Sequence, residues 1–290
     1  MGKLVRSFVE DQSALVSPPD VWLRLNDVLQ DESSSVSDMA EVAASDPALT
    51  SKVLKVVNSP FYGFPARVDT LSRAITILGV NELFNIITSI TVAKVFTDVP
   101  NALVRPETFW RHSLCTALAA RRVAKHARIL HPERLYVAGL LHDMGSLLLY
   151  RKFPEKAAAA LLASNGNEEV LYSVENDLFG FNHAQVGAEV MRLWNLPPHL
   201  VGAVKYHHEP ASTSEFGRDA AIVHIANVTA NRMPEGRFVE ELSDTNIQAD
   251  PAVWHLTGLD HSVLDDAAEG LIDELSEALA VFMPQGKASH

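Results

Sequence analysis

The chain has 290 residues, of which 47% are hydrophobic and 21% charged, a composition typical of globular proteins that bury their own core. Its formal net charge of −12 argues against direct nucleic-acid binding, which depends on Lys and Arg neutralising phosphates. Cys115 is the single cysteine, so no disulfide can form within the chain. Since no run reaches roughly 20 apolar residues and the N-terminus lacks a secretory signal, we expect a cytoplasmic protein without a membrane partner.

The first third of the chain predicts a series of amphipathic helices. The stretch "VWLRLNDVLQ" (21–30) repeats its apolar residues with a helical period. Asp46-Pro47 combines an N-cap residue with proline at the first helical position, and Thr70 is the N-cap of another helix. Gly79 marks the point where that helix ends or bends.

The loop "NSPFYGFP" (58–65) is dense in Pro and Gly and carries three aromatic side chains, Phe61, Tyr62 and Phe64. Two interpretations remain open for it. The aromatic side chains form a contact surface for a partner, or they plug a groove between two subdomains.

The segment 98–106 contains two prolines and predicts a linker between two helical subdomains. We therefore divide the chain into an N-terminal extension (1–14), an N-terminal helical subdomain (15–97), the linker, a second helical subdomain (107–232) and a C-terminal helical extension (233–290).

After the linker, the patterns predict an almost entirely helical chain. "VENDLFGFN" (174–182) predicts a loop, and 264–283 predicts one amphipathic helix with an acidic outer face. The fold class is therefore all-α, with two packed helical subdomains. The helices predicted in the second subdomain span 107–130, 133–150, 154–163, 182–194, 198–208 and 215–231.

Several polar residues do not fit the apolar helices that carry them. A buried Asp143 without a partner would cost several kcal/mol of desolvation, and a cation surrounded by imidazoles removes that cost. Imidazole and carboxylate ligands together suit Fe, Mn, Zn or Ni. The alternative is that Asp143 accepts hydrogen bonds from neighbouring histidines and no metal is involved. The candidate ligands are His112, His142, Asp143, His183, His207 and His208.

His142 and Asp143 stand side by side in "YVAGLLHDMGSLLLY" (136–150), which predicts one continuous helix. Neighbouring residues on a helix point about 100° apart, so the pair would reach a common ion only in a groove between facing helices. Gly139 and Gly145 are either sites where another helix or a ligand approaches closely, or signals of a helix end.

Seven segments, in order, resemble the HDOD family (HD-related output domain), within the HD superfamily of metal-dependent phosphohydrolases. The resemblance covers residues 15 to about 230 and implies an all-helical fold and a bacterial signalling role through a protein partner. The segments are "SPPDVWLRLNDVL", "SDPALTSKVLKVVNSPFYGF", "LSRAITILGVNELFNII", "FWRHSLCTALAARRVA", "AGLLHDMGSLLL", "FGFNHAQVGAEVMRLWNLP" and "KYHHEP".

The resemblance also implies a metal-ligand set. His112 matches the first histidine of the HD pattern, and His142 and Asp143 match its His-Asp pair. The remaining positions match the HD-GYP branch, with an amide where that branch has a carboxylate: His183, His207, His208 and Asn227.

Three departures from the HD-GYP pattern weaken the case for catalysis. Asn227 is neutral and a poorer ligand for a hard cation than aspartate. Ser146 stands where the active enzymes carry a lysine that contacts phosphate or donates a proton. The segment after "HHE" lacks the Gly-Tyr-Pro motif, so cyclic dinucleotide recognition is not supported.

Two functional hypotheses follow. The first is a non-catalytic signal-transduction output module that binds a mononuclear or dinuclear metal centre through its His/Asp pocket. The alternative is a metal-dependent phosphohydrolase acting on a nucleotide or phosphodiester, in which Asp143 bridges two ions and the ions activate water.

Overall fold

The computed structural model describes residues 2–12, 17–31, 33–59, 62–95, 104–238 and 247–282. Across these ranges the chain consists of α-helices, two short 3-10 helices and connecting turns, and it contains no β-strand. The prediction of an all-α fold is therefore confirmed.

One compact unit comprises Ser17–Val95 and Asp273–His290. Asp46 Oδ1 accepts hydrogen bonds from the amides of Ala48 and Leu49, at 2.9 and 3.0 Å, which confirms the predicted helix start. Its first five helices are α2 (Asp20–Gln30), α3 (Val36–Ala44), α4 (Pro47–Val57), α5 (Leu71–Leu78) and α6 (Val80–Val95).

The other unit comprises Met1–Val16 and Phe96–Ile272, and it contains every candidate ligand. Its helices are α1 (Gly2–Glu10), α7 (Pro106–His126), α8 (Glu133–Leu141), α9 (Met144–Lys152), α10 (Pro154–Ser164), α11 (Glu168–Phe179), α12 (His183–Leu193), α13 (Pro198–Lys205), α14 (Gly217–Arg232), α15 (Ala252–Thr257) and α16 (Ser262–Ala268); α17 (Leu271–Phe282) begins in this unit and continues in the other.

The structure corrects three predicted elements. The continuous helix over 133–150 is wrong, because the chain breaks at His142–Asp143 between α8 and α9. The single helix over 264–283 is also wrong, since Gly270, at φ +67°, separates α16 from α17. The predicted loop 174–182 is mostly helix, because α11 continues to Phe179. Most of the predicted linker lies outside the described residues, and the subdomain boundaries remain a prediction.

The aromatic loop is anchored within its own unit. The Tyr62 hydroxyl donates to Glu82 Oε1 at 2.6 Å, and the Tyr62 ring stacks on Phe64 with ring centroids 6.0 Å apart. Phe61 lies outside the described residues. The proposed role of this loop as a contact surface therefore remains a prediction.

No single helix among the described residues is both long and apolar enough to cross a membrane. Leu71–Leu78 and Val80–Thr91 satisfy that test only as a pair, which is bent by 118°.

The single cysteine is fully buried in α7, and burial raises the pKa of its thiol to about 12. Because the thiolate is the reactive form, we expect Cys115 to resist a thiol-specific disulfide reagent at neutral pH in the folded protein. The same reagent should label one thiol per chain at once in denaturant. Rapid labelling of the native protein would show that this part of α7 opens.

Candidate metal centre

The structure brings together six of the seven residues predicted as ligands. They come from four parts of one unit: α7, the α8–α9 break, the start of α12 and the turn after α13. Their donor atoms, together with a carboxylate oxygen of Glu168, form two sets, each with all members within 4.8 Å of one another. We call these the His112 group (His112, His142, Asp143 and Glu168) and the His183 group (His183, His207 and His208).

The helix break lets His142 and Asp143 face the same centre. His142 Nδ1 lies 2.7 Å from the carbonyl oxygen of Gly139, an acceptor in the last turn of α8. Asp143 then takes the non-helical position before α9, with φ −102° and ψ 6°. The angular separation expected on a continuous helix therefore does not apply, and His142 Nε2 lies 3.1 Å from Asp143 Oδ2.

Each imidazole is held by its Nδ1 atom, which leaves its Nε2 atom for the centre. A carbonyl or carboxylate oxygen only accepts, so Nδ1 carries the hydrogen and Nε2 of the neutral ring carries a lone pair. The Nδ1 partners are Gly236 O for His112 (2.7 Å), Gly139 O for His142 (2.7 Å), Glu175 Oε2 for His183 (2.6 Å), Val204 O for His207 (2.7 Å) and Glu169 Oε1 for His208 (2.8 Å).

In the His112 group, the donor atoms are spaced like the ligands of one ion. His112 Nε2 lies 3.3 Å from His142 Nε2, 3.6 Å from Asp143 Oδ2 and 3.5 Å from Glu168 Oε1. Ligand atoms about 2.0–2.1 Å from a tetrahedral ion are roughly 3.3 Å apart, so these separations suit a transition metal.

In the His183 group, the other carboxylate oxygen of Asp143 faces the imidazoles. Asp143 Oδ1 lies 3.4 Å from His183 Nε2 and 3.9 Å from His207 Nε2. His183 Nε2 and His208 Nε2 are 2.9 Å apart. Asp143 thus offers one oxygen to each group, which is the arrangement of a bridging carboxylate.

Glu168, which the sequence did not indicate, completes the His112 group. Asn227 belongs to neither group: its amide nitrogen donates to Glu168 Oε2, and its Oδ1 accepts from Asn231 at 2.9 Å. In this arrangement Asn227 positions a carboxylate that itself faces His112.

Two further carboxylates belong to neither group but accept hydrogen bonds from histidines of the His183 group. Glu175 is buried and accepts from both the Nδ1 and the backbone amide of His183, at 2.6 and 2.7 Å. Glu169 is half exposed and holds His208. All three missed glutamates lie on α11. The signal that could have located this helix is Asn167, an N-cap followed by two acidic residues, and its Oδ1 accepts from the amides of Glu169 and Val170.

His224 is also buried, but unlike the candidate ligands it has a hydrogen-bond partner from the backbone at both ring nitrogens. Its Nδ1 donates to the carbonyl oxygen of His207 at 2.8 Å, and its Nε2 accepts from the amide of Asp250 at 3.0 Å. Both ring nitrogens have backbone partners, so His224 supports the turn that carries His207.

Neighbouring groups shift the pKa values of His183 and Asp143 in the direction that favours their charged forms. Burial lowers the pKa of His183, but the Glu175 carboxylate and then Asp143 outweigh it and raise the value to about 9. Burial also opposes the ionised form of Asp143, yet the surrounding imidazoles, His142 first, hold its pKa well below the usual range. Asp143 is therefore a carboxylate at neutral pH.

The remaining imidazoles of the His183 group stay neutral. Burial, followed by the neighbouring histidines, lowers the pKa of both His207 and His208 well below the usual value. Neutral imidazole with a bare Nε2 is the form that binds metals.

The residues present fit a metal. His207 Nε2 and Glu168 Oε1 are buried acceptor atoms without a hydrogen-bond partner. The lone pairs of His112 Nε2 and His142 Nε2 face each other at 3.3 Å, which is unfavourable unless a proton or cation lies between them. A cation in each group would satisfy these atoms.

The HDOD domain model matches residues 15–210, and the chain therefore belongs to the HDOD family. An uncharacterized protein of Treponema pallidum (strain Nichols) is 25% identical over 233 residues, which is 78% of this chain and 44% of that protein. The chain thus spans less than half the length of that curated relative.

Three solved structures share the fold. An HDOD domain protein of unknown function from Geobacter sulfurreducens is 23% identical, with a TM-score of 0.74 and coverage of 95% of this chain and 99% of its own. A candidate phosphohydrolase from Shewanella amazonensis SB2B is 24% identical (TM-score 0.73; 95% and 96%). A candidate signal transduction protein from Marinobacter aquaeolei VT8 is 23% identical (TM-score 0.73; 96% and 61%).

Proposed function

We propose that this chain is a bacterial signal-transduction output module whose HD-like part holds a dinuclear metal centre and carries out no hydrolysis. The observation that carries the proposal is the convergence of four Nε2 atoms on the two oxygens of Asp143, with His208 Nε2 beside His183 Nε2 and Glu168 completing the His112 group. The HDOD match and the name of the Marinobacter neighbour support the signalling role.

One divalent ion would bind to the His112 group and the other to the His183 group, with Asp143 between them. The negative charge at the centre supports two divalent ions, because four carboxylates lie within 4 Å of the histidines. These are Asp143, Glu168, Glu169 and Glu175. The mixed imidazole and carboxylate donors suit Fe, Mn, Zn or Ni.

Two observations favour binding over catalysis. Catalytic metal sites keep a coordination position open, and Glu168 Oε1 lies where it would fill one at the His112 group. Ser146, buried one turn after Asp143, supplies no charge for a phosphate.

The second candidate function is metal-dependent phosphohydrolysis, and the bridging position of Asp143 favours it. Two bound ions would supply an activated water and a clamp for phosphate oxygens. The name of the Shewanella neighbour points to the same chemistry. In this candidate, Asp143 and the histidines would hold the ions, while Glu168 would have to leave the centre for substrate to enter.

Metal analysis of the full chain, purified without a histidine tag, tests the proposal. We expect about two transition-metal ions per chain, and His142→Ala should lose at least one of them because it removes a ligand of the His112 group. His255→Ala removes an exposed histidine and should change nothing. Protein without bound metal, after supply of Fe, Mn, Zn and Ni, would contradict both candidate functions.

A screen with nucleoside phosphates and cyclic dinucleotides separates the two candidates. The output-module proposal predicts that the metal-loaded protein forms no more hydrolysis product than His142→Ala does, whether that product is inorganic phosphate from a nucleoside phosphate or a linear dinucleotide or nucleoside monophosphate from a cyclic dinucleotide. Turnover that disappears in His142→Ala would instead establish the phosphohydrolase.

A further inference from the structure

Helix α11 brings carboxylates to both halves of the centre from a single turn. Glu168 Oε1 lies 3.5 Å from His112 Nε2 in the His112 group. The next residue, Glu169, accepts from His208 Nδ1 at 2.8 Å in the His183 group. The first turn of α11 therefore spans the whole centre.

This helix has little apolar anchorage of its own. Only two of its 12 residues are buried, Leu171 and Glu175, and one of these is a carboxylate bound to His183. The Tyr172 ring also rests on a ligand, with its centroid 4.7 Å from that of His208. The end of α11 is held by Phe179, which stacks on Phe153 and Phe181, whereas its first turn contacts the centre through Glu168 and Glu169.

The connection before α11 has the geometry of a hinge. Asn165 and Gly166 both adopt positive φ, 48° and 80°, between the end of α10 and the N-cap of α11. Two consecutive left-handed residues let the chain reverse direction within a short turn. A recess of about 40 Å³ lies directly behind this turn, and Gly166, Glu168 and Asn227 are among the residues that line it.

Asn227 fixes which oxygen of Glu168 faces the centre. Its amide nitrogen donates to Oε2, while Oε1 lies toward His112 without a hydrogen-bond partner. A buried carboxylate oxygen without a donor is costly unless a cation compensates it. Glu168 is thus aimed at a position that a metal ion would satisfy.

We propose that Glu168 is a metal ligand carried by a movable turn, so that metal binding at the His112 group fastens the start of α11 over the centre. This rests on the proposed metal centre. In the metal-bound protein, the first turn of α11 stays against the centre. In the metal-free protein, residues 165–172 move away from the centre more often. We call this metal-dependent attachment of α11 the latch.

Hydrogen exchange on the full chain, with and without Zn²⁺, tests the latch. Because the free energy of local opening sets the exchange rate, we expect Zn²⁺ to slow exchange at residues 166–172 by about tenfold or more. Glu168→Gln keeps the acceptor for Asn227 but removes the charge. It should still bind Zn²⁺ at the His183 group and lose most of that slowing.

The matched control is Glu155→Gln, an exposed acidic residue in the first turn of the neighbouring helix α10, and it should behave as wild type. If wild type binds Zn²⁺ but exchange in α11 does not change, the latch is wrong and the metal centre stands. The same holds if Glu168→Gln retains the full slowing. If wild type binds no Zn²⁺, the centre and the latch both fail.

Discussion

Asp143→Asn is expected to abolish binding of the metal pair. Among the described residues, Asp143 is the one carboxylate with an oxygen within 4 Å of histidines in both groups: Oδ2 lies 3.1 Å from His142 Nε2, and Oδ1 lies 3.4 Å from His183 Nε2. Asparagine offers a single neutral oxygen, and its amide nitrogen would present hydrogens to the other group. Loss of a bridging ligand should exceed the roughly 10–100-fold loss of affinity typical of residues that only orient ligands.

The same substitution should also destabilise the metal-free protein at neutral pH. His183, with a pKa raised to about 9, carries a proton there, and Asp143 is one of the three carboxylates, after Glu175 and before Glu168, that compensate it. Removing one partner of a buried charge pair leaves the other uncompensated, so we expect a loss of about 3 kcal/mol in the free energy of unfolding.

Isothermal titration with Zn²⁺ and chemical denaturation measure these two effects separately. Asp266→Asn, an exposed acid on α16, is the matched control and should leave both quantities unchanged. An Asp143→Asn variant that still binds two ions with wild-type affinity would show that Asp143 does not bridge them. The histidines would then form two independent sites.

The residues that the sequence indicated are those whose chemistry conflicts with their surroundings. His112, His142 and Asp143 stand out because each is a polar side chain within an otherwise apolar stretch, and the structure buries all three. The three glutamates of α11 lie in a segment where acidic side chains are ordinary. Nothing local distinguishes Glu168, which faces the centre, from Glu155, which faces solvent.

The break between α8 and α9 could not be predicted for a related reason. Residues 136–150 contain no proline, and their apolar residues continue through the break. The break depends on a tertiary arrangement in which His142 binds the Gly139 carbonyl oxygen while Asp143 faces four imidazoles. Likewise, the sequence presented Asn227 as a weakened ligand, whereas its amide binds Glu168 only because α11 lies beside α14.

Gly145→Ala is expected to cause the largest loss of stability. An added Cβ at this position would lie 2.0 Å from the carbonyl oxygen of His183 and 2.5 Å from the amide nitrogen of Gly187, both backbone atoms of α12. The prediction that Gly145 permits close approach of another helix is thus confirmed. Overpacked side chains typically cost about 1–3 kcal/mol, and backbone cannot yield as a side chain does, so we expect more than about 3 kcal/mol.

The damage should extend to the metal, because the displaced helices carry ligands of both groups. Asp143 precedes α9 and His183 begins α12, so separating these helices pulls Asp143 Oδ1 away from His183 Nε2, now 3.4 Å apart. Chemical denaturation and metal analysis of the same preparation should show both losses together.

Gly187→Ala is the matched control, because it makes the same substitution on the facing helix of the same interface. Its Cβ would meet its nearest neighbours, Gly145 N and Met144 Cγ, at 3.4 Å, an ordinary van der Waals distance. Alanine also favours the helix by up to about 1 kcal/mol over glycine, so this variant should remain within about 1 kcal/mol of wild type and keep its metal. Equal destabilisation by the two substitutions would mean that an added methyl group costs the same at both positions, so the short backbone contacts at Gly145 would not set the cost.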